Sequence, residues 1–292
     1  MSRGIAAGRR GEQQRTWLAP DRARALRFVR ARPAPGEFIT DHAHVQIAMD
    51  ADRDYGWMVL LDGVLASYVA LDDPTHLEFE YTRWIADLVD RLPPGPIDAL
   101  HLGGAACSLP VYVESTRPGS RQVIVDFDAA LLELMREQFG IRSSRRFAVR
   151  PADALAAIRE LPDACMDVIV RDVFSADLTP EHLRDARLAA EVARVLRPSG
   201  IYLANVGDRP GMALTRELMR HNRLALGLSA NGDHDGQMAF ICDPSVLRGR
   251  RLGNVVAAFS RAPLPLDGWF EASRQAAFPA RVTHGERLWP YL

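Results

Sequence analysis

IDALHLGG, residues 97–104, is an apolar run that ends in two glycines, and RQVIVDFD, residues 121–128, is an apolar run that ends in acidic residues. Apolar runs bounded by turn residues are typical of β-strands. Further strand patterns alternate with helical patterns as far as about residue 260, which predicts βαβ units, a largely parallel sheet and hence an α/β fold. Right-handed crossovers bring the carboxyl ends of such strands to one edge of the sheet, where ligands bind.

The chain before this region follows other patterns. Residues 1–36 are rich in Arg, Ala and Pro, and we expect a frayed terminal segment there. Residues 37–75 alternate apolar and polar side chains between Asp/Gly turns, which predicts a small antiparallel β-hairpin module. The α/β domain is then expected over residues 76–265, beginning with a helix, and residues 266–292 are expected to form a C-terminal extension.

The composition limits the classes of function. The chain has 292 residues, 48% of them hydrophobic, and a net charge of -1, so its charge favours neither a nucleic-acid nor a membrane partner. The longest apolar stretch, residues 57–71, is too short to span a bilayer. The three cysteines lie far apart, which indicates neither a disulfide framework nor a metal site and favours the cytoplasm. No lysine occurs, which excludes a lysine Schiff base.

The candidate ligand-binding and catalytic residues lie at the ends of four predicted strands. Gly103 and Gly104 allow the backbone to approach a ligand closely, although many such turns hold glycines only for packing. Asp126 lies about twenty residues further on, the usual offset of a carboxylate that accepts hydrogen bonds from a ribose, or it is simply an exposed strand end. Asp153 can accept a hydrogen bond from an adenine amino group, cap the following helix, or do both. Asp172 ends a buried strand at the same predicted edge.

The hairpin region also resembles a known family. Gln46, the Tyr-Gly pair at 55–56 and the Leu-Asp-Gly-Val run at 61–64 match the N-terminal pattern of spermidine synthases, as do Glu78, Phe79 and Tyr81 further on. The strand-end motifs follow in the family's order, and the similarity spans residues 38–260. The resemblance implies a Rossmann-like sheet of the S-adenosylmethionine-methyltransferase type with a small N-terminal β-hairpin module. It also implies a homo-oligomer such as a dimer, because related enzymes assemble through this module.

The resemblance implies a reaction and a role for each candidate residue. Such enzymes move an aminopropyl group from decarboxylated S-adenosylmethionine to a small-molecule amine such as putrescine, without a metal. Asp172 would assist loss of a proton from the amine, and Tyr81 would orient it. Gly103, Gly104 and Gln46 would contact the nucleoside. The ribose and the adenine would be held by Asp126 and Asp153.

Several positions depart from the family pattern. Ala106 stands where the family has the aspartate that anchors the donor's amine, and Ser175 stands where it has a second acceptor-site aspartate, although Asp177 lies nearby. Thr82 and Ala66 replace two glutamines. These changes leave two alternatives open beside aminopropyl transfer. One is a methyltransferase that uses S-adenosylmethionine, whose carboxylate an aspartate at position 106 would repel, and the other is a non-catalytic nucleoside-binding protein.

Overall fold

A computed structural model of the protein describes residues 31–104, 106–173, 179–229, 236–275 and 280–292. Most of the Arg-rich segment predicted over residues 1–36 lies outside these ranges, as do Ser175 and Asp177. Within the described residues, none of the helices has both the length and the apolar composition needed to cross a bilayer.

The strands within the described residues form two sheets. The N-terminal sheet has four antiparallel strands in sequence order, β1 to β4: Gly36–Ile39, His44–Met49, Gly56–Leu61 and Val64–Ala70. The central sheet has eight strands, β5 to β12: Asp98–Leu102, Arg121–Asp126, Phe147–Pro151, Met166–Arg171, Leu196–Asp208, Met238–Cys242, Gly253–Ser260 and Arg281–His284. Their spatial order is β12-β10-β11-β9-β8-β5-β6-β7. The predicted α/β fold class with a separate N-terminal antiparallel unit is confirmed.

The central sheet is parallel from β9 through β8, β5 and β6 to β7, whereas β11, β10 and β12 are antiparallel to their neighbours. The predicted C-terminal extension, residues 266–292, contributes the edge strand β12 to this sheet. The predicted β-hairpin module is a four-stranded sheet, because the short run Gly36–Ile39 adds a strand beside β2.

Helices cover both faces of the central sheet. They are α1 to α8: Glu80–Asp90, Ser108–Thr116, Ala129–Phe139, Ala154–Arg159, Ala186–Val195, Ala213–Leu226, Pro244–Leu247 and Asp267–Gln275. The core on one face joins α4, α5 and α6 to the sheet, and the core on the other face joins α1, α2 and α8. Trp269 lies at the centre of the second core and donates its indole N–H to the carbonyl of Trp84 at 2.7 Å.

Asp128 connects the N-terminal sheet to the central sheet through hydrogen bonds. Its carboxylate caps α3 by accepting from Leu131 N–H at 2.8 Å, and it also accepts from the Thr40 hydroxyl at 2.6 Å and from His42 N–H at 3.2 Å. The β1–β2 turn is therefore held against the carboxyl end of β6. A buried apolar layer, in which Trp57 contacts Phe139, continues the contact between the two sheets.

Candidate active site

A cavity of about 940 Å³ lies where the carboxyl ends of the parallel strands face the N-terminal sheet. Its lining includes the predicted site residues Tyr81, Gly103, Gly104, Asp126, Asp153 and Asp172. The strand order explains this convergence. The strands β6, β5 and β8 are adjacent and parallel, so the residues that follow them meet at one edge.

The glycine turn after β5 is closely packed against the neighbouring strand end. Gly103 has a φ of +88°, and a Cβ atom there would lie 2.1 Å from the carbonyl oxygen of Asp172. A Cβ atom on Gly104 would lie 2.5 Å from a methyl group of Ile124. Both positions therefore require glycine, and the backbone forms the floor of the cavity.

Asp126 is linked directly to this turn. Its Oδ2 accepts from Gly104 N–H at 3.1 Å, and its Oδ1 accepts from Asp128 N–H at 3.1 Å. The next residue, Phe127, lines the cavity and contacts the His42 ring, with the ring centroids 4.4 Å apart. A carboxylate beside a glycine turn and an aromatic surface is a suitable site for a ribose and its base.

Asp153 caps α4, as one of its two predicted interpretations has it, and it also lines the cavity, where its role toward an adenine stays a prediction. Its Oδ1 accepts from Ala156 N–H at 2.9 Å, and its Oδ2 lies 2.8 Å from Nε2 of His182. Although burial acts to raise the pKa of Asp153, these two hydrogen bonds outweigh it and lower the pKa. The carboxylate is thus ionised and remains an acceptor near neutral pH.

Asp172, Tyr81 and Asn205 form a hydrogen-bonded polar group in the described lining. Asp172 Oδ1 accepts from Asn205 Nδ2 at 2.9 Å, and the carboxylate also accepts a hydrogen bond from the Tyr81 hydroxyl. Burial raises the pKa of Asp172, while the hydrogen bonds from Asn205 and Tyr81 and the charge of Arg171 oppose that rise. Burial, together with the Asp172 charge, holds the pKa of Tyr81 well above its usual value. Tyr81 therefore stays a hydrogen-bond donor, and Asp172 is a carboxylate with increased proton affinity.

Arg171 is hydrogen-bonded to the backbone beside this polar group. The side chain is buried, and its guanidinium donates to the carbonyl of Asn205 at 3.2 Å and to the carbonyl of Leu183 at 2.8 Å. It thereby links β8 to β9 and to the short 3-10 helix Glu181–Leu183 that carries His182.

Ala106 occupies the position at which the resembling family has its donor-anchoring aspartate. Ala106 is buried, and its N–H donates to the Ser67 hydroxyl at 3.4 Å. Ser108 donates to the carbonyl of Tyr68 at 2.5 Å. This part of the lining is therefore neutral and carries hydroxyl groups from Ser67 and Ser108.

The structure does not bring Gln46 to the cavity. It lies on β2 with its side chain exposed, whereas its neighbours Val45 and Ile47 are buried. Side chains alternate along a strand, so Gln46 faces away from the packed side of the sheet. Its part in nucleoside binding stays a prediction, and the function proposed below does not use it.

His182, Asp128 and His101 were not predicted from the sequence as parts of this site. A histidine alone gives no signal, because its pairing with Asp153 or with another buried group depends on the folded chain. Asp128 carried a weak signal, since an aspartate just before a helical run is a typical cap.

His101 is a buried, uncharged member of the lining. Its Nε2 lies 2.9 Å from Gln122 Oε1, and Gln122 Nε2 donates to the carbonyl of Pro110 at 2.9 Å. Because the amide nitrogen of Gln122 is already donating, its oxygen accepts from His101, which fixes the Nε2–H tautomer. Burial lowers the pKa of His101 to about 4, although the hydrogen bond with Gln122 opposes this shift.

His101 is expected to destabilise the fold at acid pH. The unfolded state binds a proton as the pH falls below 6.5, but the folded state does so only near a pKa of about 4. Stability is therefore lost between these values, by about 3 kcal/mol in total. Urea unfolding from pH 7 to pH 4.5 should show a weaker pH dependence for His101→Gln than for the wild type. Asp87, whose pKa burial raises to about 6, acts in the opposite direction, but it is present in both proteins and cancels in the difference. An equal pH dependence would contradict this account of His101.

The fold is that of Rossmann-like α/β proteins, and the cavity lies at the carboxyl edge of the sheet, where ligands of such proteins bind. Comparison with known proteins shows which proteins of this fold the chain is similar to. A solved structure described as a probable spermidine synthase from Corynebacterium glutamicum ATCC 13032 is 28% identical, with a TM-score of 0.78, over 89% of this chain and 93% of that chain. No family model matches the chain.

Curated relatives also match in sequence, among them an aminopropyltransferase and a methyltransferase. The polyamine aminopropyltransferase of Vibrio vulnificus is 29% identical over 130 residues, which is 44% of this chain and 43% of that protein. The eEF1A lysine and N-terminal methyltransferase of Homo sapiens is 31% identical over 122 residues, which is 38% of this chain and 18% of that protein. The chain therefore spans less than half the length of these relatives. The chain is similar to a probable spermidine synthase over most of its length, which confirms the resemblance that the hairpin motifs predicted.

Proposed function

We propose that the protein transfers an aminopropyl group from decarboxylated S-adenosylmethionine to an amine. The observation that carries this proposal is the hydrogen-bonded Asp172–Tyr81 pair in the cavity, beside a turn and two carboxylates suited to an adenosyl group. The likeness to a probable spermidine synthase over most of both chains supports the same conclusion. A transferase that uses an adenosyl sulfonium compound is the broader class that all three relatives support.

The charge of the cavity supports cationic substrates. The described lining contains six carboxylates and no arginine. These carboxylates are Asp62, Glu78, Asp126, Asp128, Asp153 and Asp172. A concave surface of one sign of charge concentrates ligands of the opposite sign, here a sulfonium donor and an amine that is protonated in solution.

The reaction is a direct displacement. The neutral form of the amine attacks the propyl carbon next to the sulfonium, so that an N–C bond forms and the C–S bond breaks. The bonding electron pair goes to sulfur, and neutral methylthioadenosine leaves. Asp172 accepts the proton that the nitrogen loses, and Tyr81 holds the carboxylate in place. The protein's main contribution is to position the two substrates in line.

Asp126 and Asp153 are proposed to hold the donor. Asp126 lies against the glycine turn and would accept hydrogen bonds from the ribose hydroxyls. Asp153 and His182 lie together at the adenine end, where the carboxylate would accept from the amino group. These roles rest on the geometry of the cavity and on the family resemblance.

Methyl transfer from S-adenosylmethionine is the second candidate. Two observations favour it, namely the match to a eukaryotic methyltransferase and the neutral Ala106 where an aspartate would repel the carboxylate of that donor. The same Asp172 could accept the proton from a methylated amine. The two candidates therefore differ in the donor and not in the base.

Calorimetry with the two nucleoside products tests the choice of donor. We expect methylthioadenosine to bind at least about tenfold more tightly than S-adenosylhomocysteine, because a carboxylate on the ligand is repelled by the acidic lining. Tighter binding of S-adenosylhomocysteine would contradict aminopropyl transfer and favour the methyltransferase.

The variant Asp126→Asn is expected to weaken the binding of both nucleosides about tenfold, because a hydrogen bond from ribose to a charged acceptor becomes one to a neutral acceptor. A matched control is Asp243→Asn. Asp243 also follows a strand and caps a short helix, through Ser245 N–H, but it lies outside the cavity lining. The assignment of Asp126 is wrong if the two variants bind methylthioadenosine equally well.

A further inference from the structure

Asn205 has a buried side-chain oxygen with no hydrogen-bond partner within the described residues. The residue is completely buried, it lines the cavity, and its Oδ1 contacts no donor. A buried acceptor without a partner is destabilising, so such an atom in a binding cavity needs an explanation. A donor group on a bound substrate provides one.

The orientation of the Asn205 amide follows from Asp172. The carboxylate of Asp172 only accepts hydrogen bonds when it is ionised, so the amide nitrogen, at 2.9 Å, must face it. The reverse orientation would place two oxygens against each other. Asn205 Oδ1 is therefore the atom that is left without a partner, and it lies beside the group that we assign as the base.

The backbone holds Asn205 rigidly in this position. It lies within β9, paired with Val256 of β11 on one side, and its carbonyl accepts from the buried Arg171 on the other. The side chain therefore cannot reach another donor without a change in the sheet. Asp172 Oδ1 and Asn205 Oδ1 form two fixed acceptors at one end of the cavity.

We propose that Asn205 Oδ1 accepts one N–H of the attacking amine and thereby selects primary over secondary amines. This inference rests on the proposed transfer to an amine. A neutral primary amine has two N–H bonds and one lone pair. If Asp172 and Asn205 each accept one N–H, the lone pair is left directed at the carbon of the donor.

The step remains balanced with this assignment. The nitrogen uses its lone pair to form the new N–C bond, the C–S electrons go to the departing thioether, and the N–H proton facing Asp172 moves to that carboxylate. The N–H facing Asn205 stays on the product, which is a secondary amine. A secondary amine as substrate has only one N–H, so it leaves one of the two acceptors without a partner.

Matched amines test the inference. The kcat/KM values of butane-1,4-diamine and of N,N′-dimethylbutane-1,4-diamine are measured with decarboxylated S-adenosylmethionine as the donor, because the nitrogen is neutral only in the reacting state. We expect the wild type to use the primary diamine at least about tenfold more efficiently. The variant Asn205→Leu, which has nearly the same shape and no acceptor, should use the two amines with kcat/KM values within about twofold of each other. Asn205→Ser, which is shorter, should lose the preference in the same way.

The control variant is Asn222→Leu. Asn222 is also buried, its Nδ2 donates to the carbonyl of Leu218 at 2.9 Å and its Oδ1 also has no partner, but it lies on α6 outside the cavity lining. It should keep the wild-type preference. Equal kcat/KM values for the two amines in the wild type, or an unchanged preference in both Asn205 variants, would overturn the inference while leaving aminopropyl transfer in place. Absence of methylthioadenosine with either amine would contradict the proposed function and the inference together.

Discussion

Replacing Asp172 with asparagine is expected to lower kcat by about 10²- to 10⁴-fold, the usual effect of removing a general base. Asparagine keeps the shape and can still accept a hydrogen bond from Asn205, but it cannot take the proton of the amine. Because burial raises the pKa of Asp172, the buried charge destabilises the fold, and its removal should raise the unfolding temperature at pH 7. Loss of activity together with a gain in stability is the expected signature.

The control for this prediction is Asp153→Asn, a change to a second cavity carboxylate at the nucleoside end. It should raise the KM for the donor and leave kcat within a few-fold of the wild type, because it alters binding and not proton transfer. In the wild type, kcat should fall as the pH decreases through the raised pKa of Asp172. An Asp172→Asn protein with wild-type kcat would exclude Asp172 as the base.

The second large effect is expected at the glycine turn. Gly103→Ala places a methyl group 2.1 Å from the carbonyl oxygen of Asp172, at a φ of +88° that alanine rarely adopts. Gly103 and Asp172 directly follow the paired strands β5 and β8, and their N–H groups donate to the carbonyls of Val125 and Leu102 at 2.8 Å. The overlap is between backbone groups and cannot be relieved by a side-chain movement. We expect a loss of about 3 kcal/mol or more in the free energy of unfolding. Movement of the glycine turn, which is hydrogen-bonded to Asp126, should also weaken nucleoside binding in the protein that remains folded.

Gly211→Ala separates the effect of the backbone conformation from the effect of the steric overlap. Gly211 has a φ of +100°, but a Cβ atom there would meet nothing within 4 Å. Its substitution should cost about 1 kcal/mol from the backbone conformation alone. Chemical denaturation of the two variants measures the difference. Equal stability would mean that the close approach between Gly103 and Asp172 is not a constraint on this site.

Much of the fold and of the site follows from local patterns. The α/β class was predictable because strand and helix periodicities alternate over most of the chain. Asp126, Asp153 and Asp172 were predictable as neighbours because each follows a strand of a parallel sheet, and such strand ends meet at one edge. This prediction does not depend on the order of the strands in the sheet.

Contacts between distant parts of the chain were less predictable. The alternation around Gln46 indicated a strand but did not say which face would be buried, and Gln46 is exposed. The strand β12 was hidden in a short segment near the C-terminus and is stabilised by pairing with β10. The contacts of His182 with Asp153 and of Asn205 with Asp172 join residues 29 and 33 positions apart. No local pattern encodes such pairs.

The most direct test of the proposed function is product analysis with two donors in parallel. The purified protein is incubated with decarboxylated S-adenosylmethionine or with S-adenosylmethionine, each with and without a panel of primary diamines and polyamines. The proposal predicts methylthioadenosine from the decarboxylated donor only when an amine is present, and an amine product heavier by one aminopropyl group. Formation of S-adenosylhomocysteine from S-adenosylmethionine, with no methylthioadenosine from the decarboxylated donor, would contradict it.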